Sequence, residues 1–350
     1  MSGSQPSSAT PSGLPVFLSH LLGWYGITVL TLGQRTGLLA ALRDQAGTPE
    51  DLALRAGTEL RNTTAWLRAM VAAGHATYND GTFEMSTQLN SFLGGAFPVD
   101  VAAVLEFARR TPEILPDVEA AMRAGGGVDT HRYHTVYGSF MGHINTPTYA
   151  NSLVDDWIGG VPGLVDRLHA GGRIADLACA DGDAALLLAH AFPKAQVVGC
   201  DLDTEALAAA RDKAQRESLP NVSFTEADSH RLAASGPFDL VVCLDSWHHF
   251  GDPVAAGRGV LDALAPQGTL MLVESGFSGE LGKDSASPTA LIGYAAGLLY
   301  CVQESLSGGG SGLTPADGPG WVVNALKAAG FGDVNTRETR SGWRVFAAAR

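Results

Sequence analysis

The sequence predicts an α/β protein: a Rossmann-like, doubly wound sheet closed by an antiparallel C-terminal hairpin, preceded by a mostly helical N-terminal domain of winged-helix type. Three observations carry this. From Arg173 onward, near-continuous apolar strands alternate with helical segments, the pattern of a parallel sheet covered on both faces. Between Thr48 and Met85 the order is helix, turn, helix, hairpin. A length of 350 residues suits two domains.

Each element has a local cause. The Ser/Pro/Gly-rich start, residues 1–14, reads as a disordered tail without the basic region of a secretory leader. Residues 15–95 form the helical, winged-helix dimerisation domain. Its first part, 14–43, carries Leu18, Leu21, Leu22, Tyr25, Val29 and Leu32 at helical spacing, then Leu38, Leu39 and Leu42. Leu14–Gly33 is apolar enough to raise a membrane span, but Ser19, His20, its glycines and the lack of flanking positive charge predict a buried helix. Thr48-Pro49-Glu50-Asp51 starts the next helix with the pattern of a capping box. Leu60–Ala73 follows with Trp66, Leu67, Met70 and Val71 inward, and Asn79-Asp80-Gly81 turns a hairpin. Residues 96–172 read as a helical linker and lid region, broken at Gly125-Gly-Gly.

The 173–350 domain begins with strand Arg173–Cys179 and continues through strands Gln196–Asp201, Val222–Glu226, Phe238–Leu244 and Thr269–Glu274. Helices Ala184–Ala191, Thr204–Ser218 and Pro253–Leu264 lie between them. Asp333–Thr339 and Trp343–Ala349 read as the closing hairpin.

Composition excludes several functions. With 23 Lys+Arg against 36 Asp+Glu, the net charge of −13 disfavours nucleic acid and anionic membranes, because phosphate capture needs Lys and Arg. The second helix of the winged module carries only Arg61 and Arg68, too few for a DNA reader. Cys179, Cys200, Cys243 and Cys301 lack CxxC spacing and sit in apolar runs, so they predict free thiols in a reducing, cytoplasmic setting and no metal. Apolar helices left open at the N-terminal domain predict a homodimer.

The chemistry concentrates at strand ends. In Asp176-Leu-Ala178-Cys-Ala180-Asp-Gly182 a strand ends in an acid, a loop of small residues follows, and a helix N-terminus offers unpaired N–H groups. The segment resembles the first strand and loop of class I S-adenosylmethionine-dependent methyltransferases, which read Asp/Glu-x-Gly-x-Gly-x-Gly. Ala178 and Ala180 replace the first two glycines, a change compatible with close backbone approach as long as φ stays negative. The second strand ends in Asp201-Leu202-Asp203, where an acid takes both ribose hydroxyls. The third leads into Asp228-Ser229, and the resemblance implies that Asp228 accepts from the adenine amino group. A helix cap is an equal alternative for each acid taken alone. The cofactor set is therefore Asp176, Ala178, Ala180, Gly182, Asp201, Leu202, Asp228 and Ser229, with Cys243 on the fourth strand.

That strand delivers Asp245-Ser-Trp247-His248-His249. A histidine suits a general base near neutral pH. Three roles stay open: His248 or His249 as base, a metal pair with Asp245, or a helix cap. Glu274, ending the fifth strand, is a second acid or base or a loop cap. Trp247 is packing or an adenine-side wall. The stretch containing His131, His134 and Tyr137 supplies weaker substrate-facing candidates. The resemblance extends to methyltransferases of the actinobacterial small-molecule type that carry an N-terminal winged helix, and it implies that Tyr294, Tyr300 and Cys301 wall the acceptor pocket. Together these residues imply methyl transfer from S-adenosylmethionine to a small specialised-metabolite acceptor. Two rivals stay open: a cofactor-binding protein of this fold that catalyses a non-methylating reaction, and a winged-helix metabolite sensor.

Overall fold

The computed structural model describes residues 15–96, 100–137 and 140–350, with the side chains of residues 96, 134, 137 and 140–144 also outside the description. The predicted N-terminal tail lies outside the described residues. By packing, the chain forms two compact units, one up to Pro112 and one from Glu113 to Arg350. The division falls inside a long helix, so the region 96–172 set apart by sequence is shared between the two.

In the first unit, α1 (Val16–Thr36) and α2 (Leu38–Asp44) are separated at Gly37, whose φ of 78° is the left-handed conformation that ends a helix. Thr48 caps α3 (Pro49–Ala56) in the predicted capping box with Asp51. After α4 (Leu60–Ala72), β1 (Ala76–Asn79) pairs antiparallel with β2 (Thr82–Met85), and α5 (Thr87–Ser91) follows. Leu42, Leu52, Leu67 and Met70 fill the core. Trp66 seats α4 on α1: its indole N–H donates to the Val29 carbonyl at 2.9 Å. A Cβ at Gly33 would stand 2.4 Å from the Trp66 ring, so only glycine permits this contact.

The prediction of a buried first helix is corrected. Only Leu30, Thr31 and Gly33 of α1 are buried, while Val16, Phe17, Trp24 and Tyr25 are more than half exposed. The helix is apolar almost all round, so a core that reaches one end of it leaves the other apolar surface uncovered. By length and composition it is also long and apolar enough to cross a membrane.

Helix α6 (Val101–Ala124) crosses the division between the units. The second unit continues with α7 (Thr130–Tyr137), α8 (Phe140–Ser152) and α9 (Leu164–Gly171), then the sheet. Its strands are β3 (Arg173–Leu177), β4 (Gln196–Asp201), β5 (Val222–Glu226), β6 (Phe238–Leu244), β7 (Leu264–Ser275), β8 (Val334–Glu338) and β9 (Trp343–Ala349). The spatial order is β5-β4-β3-β6-β7-β9-β8; β3 to β7 run parallel and β9 is antiparallel to both neighbours. Helices α10 (Asp183–Ala191), α11 (Thr204–Arg216) and α12 (Pro253–Ala263) connect the parallel strands. Short helices α13 (Leu281–Asp284), α14 (Ala290–Ala296) and α15 (Val302–Ser307), with a π-helical turn at Gly297–Cys301, follow β7, and α16 (Gly320–Ala329) leads to β8.

The sheet is buried on both faces, one face packing on Leu188, Phe192 and Trp157, the other on Trp247, Val260 and Leu326. This explains why its strands read as continuous apolar runs. Strand order reverses at β3 beside β6, so the carboxyl ends of these strands open where such sheets bind ligands.

Candidate active site

One part of the candidate site is built by the turns that leave β3, β4 and β5. The β3 turn closes on itself, with the Gly182 N–H donating to the Cys179 carbonyl. The Ala180 N–H donates to Asp201 Oδ2 at 2.8 Å, tying the turn to the end of β4, while Asp201 Oδ1 accepts from the Asp203 N–H at 2.9 Å. Each Asp201 oxygen keeps a lone pair for a ligand hydroxyl. Asp228 Oδ1 accepts from the N–H groups of His230 and Arg231, the capping alternative weighed for this acid.

The expectation of negative φ in the turn is overturned: φ is +59° at Ala178 and +48° at Ala180. Both alanines hold a backbone that glycine adopts freely, at a cost of about 1–2 kcal/mol each for an L-residue. Gly182, at φ +84°, could not be replaced likewise, because a Cβ there would meet Ala210 and the Phe224 ring at 2.8 Å. Changing both Ala178 and Ala180 to glycine relieves the strain and loosens the unfolded chain, and the two effects oppose each other. We expect a net gain of about 1 kcal/mol, read as a higher urea midpoint at unchanged slope; a lower midpoint would contradict the strain.

A cavity of about 980 Å³ opens at these turns. Of the residues expected to hold the cofactor, Ala178, Ala180, Asp201, Leu202, Asp228 and Ser229 line it. Asp176 does not. It is buried behind the turn, where its carboxyl accepts from the Ala185 N–H, its Oδ2 has no described partner, and burial raises it to about 7. Gly182 also acts from behind, as the N-cap of α10. Cys243 is corrected from a lining residue to a fully buried core residue.

The other part of the cavity is built by α7, the turn after β6, and the π-turn with α15. Of the two adjacent histidines, only His249 lines it. Its ring lies edge-on to Tyr300, with centroids 5.1 Å apart, and its Nδ1 is 3.2 Å from Glu304 Oε2. Burial, then the neighbouring His248, lower His249 to about 4, so it is neutral at physiological pH and free to accept a proton. His248 is enclosed instead, its Nδ1 2.7 Å from Glu274 Oε2. Burial raises Glu274 to about 8 and lowers His248, so the pair is held as a carboxylic acid and a neutral imidazole. Asp245, at φ +53°, accepts from Asn145 Nδ2 at 2.9 Å and is likewise behind the lining.

Other predicted residues separate similarly. Tyr300 lines the cavity, whereas Cys301 lies behind it within ligand-atom reach of both histidines. Trp247 is fully buried packing, and Tyr294 packs edge-on against Phe277 away from the lining. The side chains of His134 and Tyr137 lie outside the described residues. Sequence reasoning did not single out Glu304 and Thr130, which meet through a hydrogen bond from Thr130 Oγ1 to Glu304 Oε1 at 3.0 Å. For Glu304 a signal existed: four residues beyond Tyr300 on helical backbone, it shares that residue's face.

This strand order, with its cavity at the carboxyl ends of β3 to β6, defines the class I methyltransferase fold. Residues 174–268 match the family model described as a methyltransferase domain. The chain is similar to demethylmenaquinone methyltransferase of Thermus thermophilus, 41% identical over 103 residues, covering 29% of this chain and 46% of that protein. It is also similar to trans-aconitate 2-methyltransferase of Yersinia pestis, 36% identical over 97 residues, covering 28% of this chain and 36% of that protein. The chain thus spans less than half the length of these curated relatives. Solved structures extend the likeness of fold over nearly the whole chain. Human N-acetylserotonin methyltransferase in complex with SAM has a TM-score of 0.66 at 18% identity, covering 98% of this chain and 99% of that one. Mitomycin 7-O-methyltransferase has a TM-score of 0.67 at 15% identity, covering 95% and 96%.

Proposed function

We propose that the protein binds S-adenosylmethionine and transfers its methyl group to a small organic acceptor, with His249 as general base. The observation that carries this is one continuous cavity lined both by the strand-end acids Asp201 and Asp228 and by a neutral histidine. The cavity has room for a nucleoside and a small partner. Asp201 would hold the ribose hydroxyls and Asp228 Oδ2 the adenine amino group. The cofactor supplies a methyl group already activated on a sulfonium. What remains for the protein is alignment of the acceptor and removal of its proton. His249, which lines the cavity, takes that proton, while Glu304 at Nδ1 favours the imidazolium that forms.

Two measurements test this reading. Calorimetry is expected to show one binding site for S-adenosylmethionine and for its demethylated product. With methyl-labelled cofactor and a panel of phenols, amines and alcohols, label is expected in the acceptor. Failure of both ligands to bind removes the reading, and unlabelled product would show a non-methylating reaction instead.

The exposed face of α1 supports a homodimer formed through the N-terminal unit, since patches of this kind are rarely left open on a monomer. Light scattering at micromolar concentration is expected to give twice the single-chain mass; a value of 36.4 kDa would overturn it. The four free cysteines fit a reducing cytoplasm.

A further inference from the structure

We propose that His248, His249 and Cys301 form a binding site for a borderline-soft divalent cation of the Zn²⁺ type, with two imidazole nitrogens and one thiolate as ligands. The proposal goes beyond the methyl-transfer reading and does not rest on it. His249 acts as base while its ring carries no metal, and a bound cation takes the lone pair that the acceptor's proton needs.

The first ground is geometry. One ligand atom from each of the three side chains lies within 4.8 Å of the other two. Zn–N bonds of about 2.0 Å and a Zn–S bond of about 2.3 Å set tetrahedral ligands roughly 3.3–3.6 Å apart, so no pair has to close by more than about 1.5 Å. Adjacent side chains seldom converge on one centre. Here a single 3₁₀ turn, Trp247–His249, carries both histidines and brings their ring centroids to 4.2 Å. Cys301 comes from a separate element, the end of the π-helical turn Gly297–Cys301.

The second ground is the state of the ring nitrogens. His248 Nδ1 is engaged by Glu274 Oε2 at 2.7 Å, and His249 Nδ1 faces Glu304 Oε2 at 3.2 Å. The other nitrogen of each ring, Nε2, is shut off from solvent with no described hydrogen-bond partner. His248 is only 2% exposed, so its Nε2 is a buried polar atom that costs free energy until a ligand meets it. Metal-binding histidines are held in this way: a carboxylate accepts from Nδ1–H, which fixes the tautomer whose lone pair is at Nε2.

The third ground is charge. Burial, then the carboxyls of Asp245, Glu274 and Glu304, push the Cys301 thiol well above its ordinary range. The same carboxyls favour a cation beside the sulfur. On binding, the thiol proton leaves to solvent and the sulfur becomes the third ligand. Imidazole and thiolate suit zinc, whereas Mg²⁺ and Ca²⁺ take oxygen ligands. A second grouping, Asp245, His248 and Glu274, shares His248 but is already engaged. Its Glu274 Oε2 meets His248 Nδ1, and its Asp245 Oδ2 accepts from Asn145 Nδ2.

The test titrates the full chain, stripped of metal by a chelator, with Zn²⁺. Calorimetry is expected to show one Zn²⁺ bound per chain in the presence of a roughly 1000-fold excess of Mg²⁺. Co²⁺ in place of zinc is expected to give the near-ultraviolet absorption of a thiolate–cobalt bond. Cys301→Ser keeps the size of the side chain and is expected to weaken zinc binding at least about 10-fold and to abolish that absorption, a cooperative urea transition reporting that the variant is folded. The proposal is overturned if zinc does not bind stoichiometrically, if bound cobalt shows no thiolate absorption, or if Cys301→Ser binds zinc as the parent does. Should the variant not fold, the cobalt spectrum of the parent decides alone. Failure of zinc to bind removes this site and leaves the methyl-transfer reading standing. Failure of S-adenosylmethionine to bind removes that reading and leaves this site untouched.

Discussion

Replacing His249 with glutamine is expected to lower kcat by about 10²–10⁴-fold, the usual contribution of a positioned base, while leaving the affinity for S-adenosylhomocysteine unchanged. Glutamine keeps the size and polarity of the side chain but cannot carry the acceptor's proton. The neighbouring position separates chemistry from packing. His248 is enclosed with Glu274 and does not line the cavity, so His248→Gln is expected to act first on stability, lowering the urea midpoint. The pH profile gives an independent readout. Burial lowers His249 to about 4, and a base works in its neutral form, so the acid limb of kcat/KM is expected near pH 4 and not near the ordinary value of 6.5. A His249→Gln variant within threefold of the parent, on an acceptor whose proton must leave, would end the assignment of this base.

What could be read from the sequence, and what could not, follows from how far apart the interacting residues lie. Strand-end acids announce themselves because a parallel strand is a continuous apolar run, and the first polar residue after it stands at the sheet's carboxyl edge. Asp201 is singled out in that way, whereas Asp228 comes from the resemblance, because Val222–Glu226 already carries Ser223, Thr225 and Glu226. The same logic places Asp176 at an edge but does not reveal that the turn folds over it and hides it from the cavity. The Ala178 and Ala180 backbone was misjudged for a related reason. Composition suggests which φ a residue prefers, whereas a turn tied at Ala180 to Asp201 imposes the φ it needs. His248 and His249 could not be ranked, since adjacent residues point to different sides and only the surrounding elements decide which side is the cavity. Glu304 meets Thr130 across 174 positions of chain, a pairing no local pattern encodes. At α1 the apolar spacing was read correctly and the burial wrongly, because hydropathy records what a helix would gain by being covered, not what covers it.

Stability is expected to fall as pH rises from about 6.5 to 8, a range in which many proteins change little. Asp176 goes from an ordinary 3.8 to about 7 on folding, and Glu274 from 4.5 to about 8, both driven first by burial. A carboxyl raised in this way binds its proton more tightly in the folded chain than in the unfolded one. Its contribution is therefore fully present at low pH and is lost as pH climbs through the folded value. Below 6.5 the histidines oppose this. His248 and His249 are lowered by burial, so they favour folding increasingly as pH rises from about 4 to 6.5, and the two trends offset each other there. Above 6.5 the unfolded-state histidines lose their remaining protons, so their opposing effect fades and the carboxyls dominate. With 1.36 kcal/mol per unit, their remaining interval corresponds to a loss on the order of 2–3 kcal/mol by pH 8. Urea midpoints of the ligand-free protein at pH 6.5 and pH 8, at constant slope, measure it directly. Asp176→Asn with Glu274→Gln keeps the shapes and removes both protons from the balance, so the double variant is expected to show little change over the same interval. A parent protein equally stable at the two pH values would mean that these carboxyls are ionised in the folded state, and that positive charge or water reaches them behind the turn.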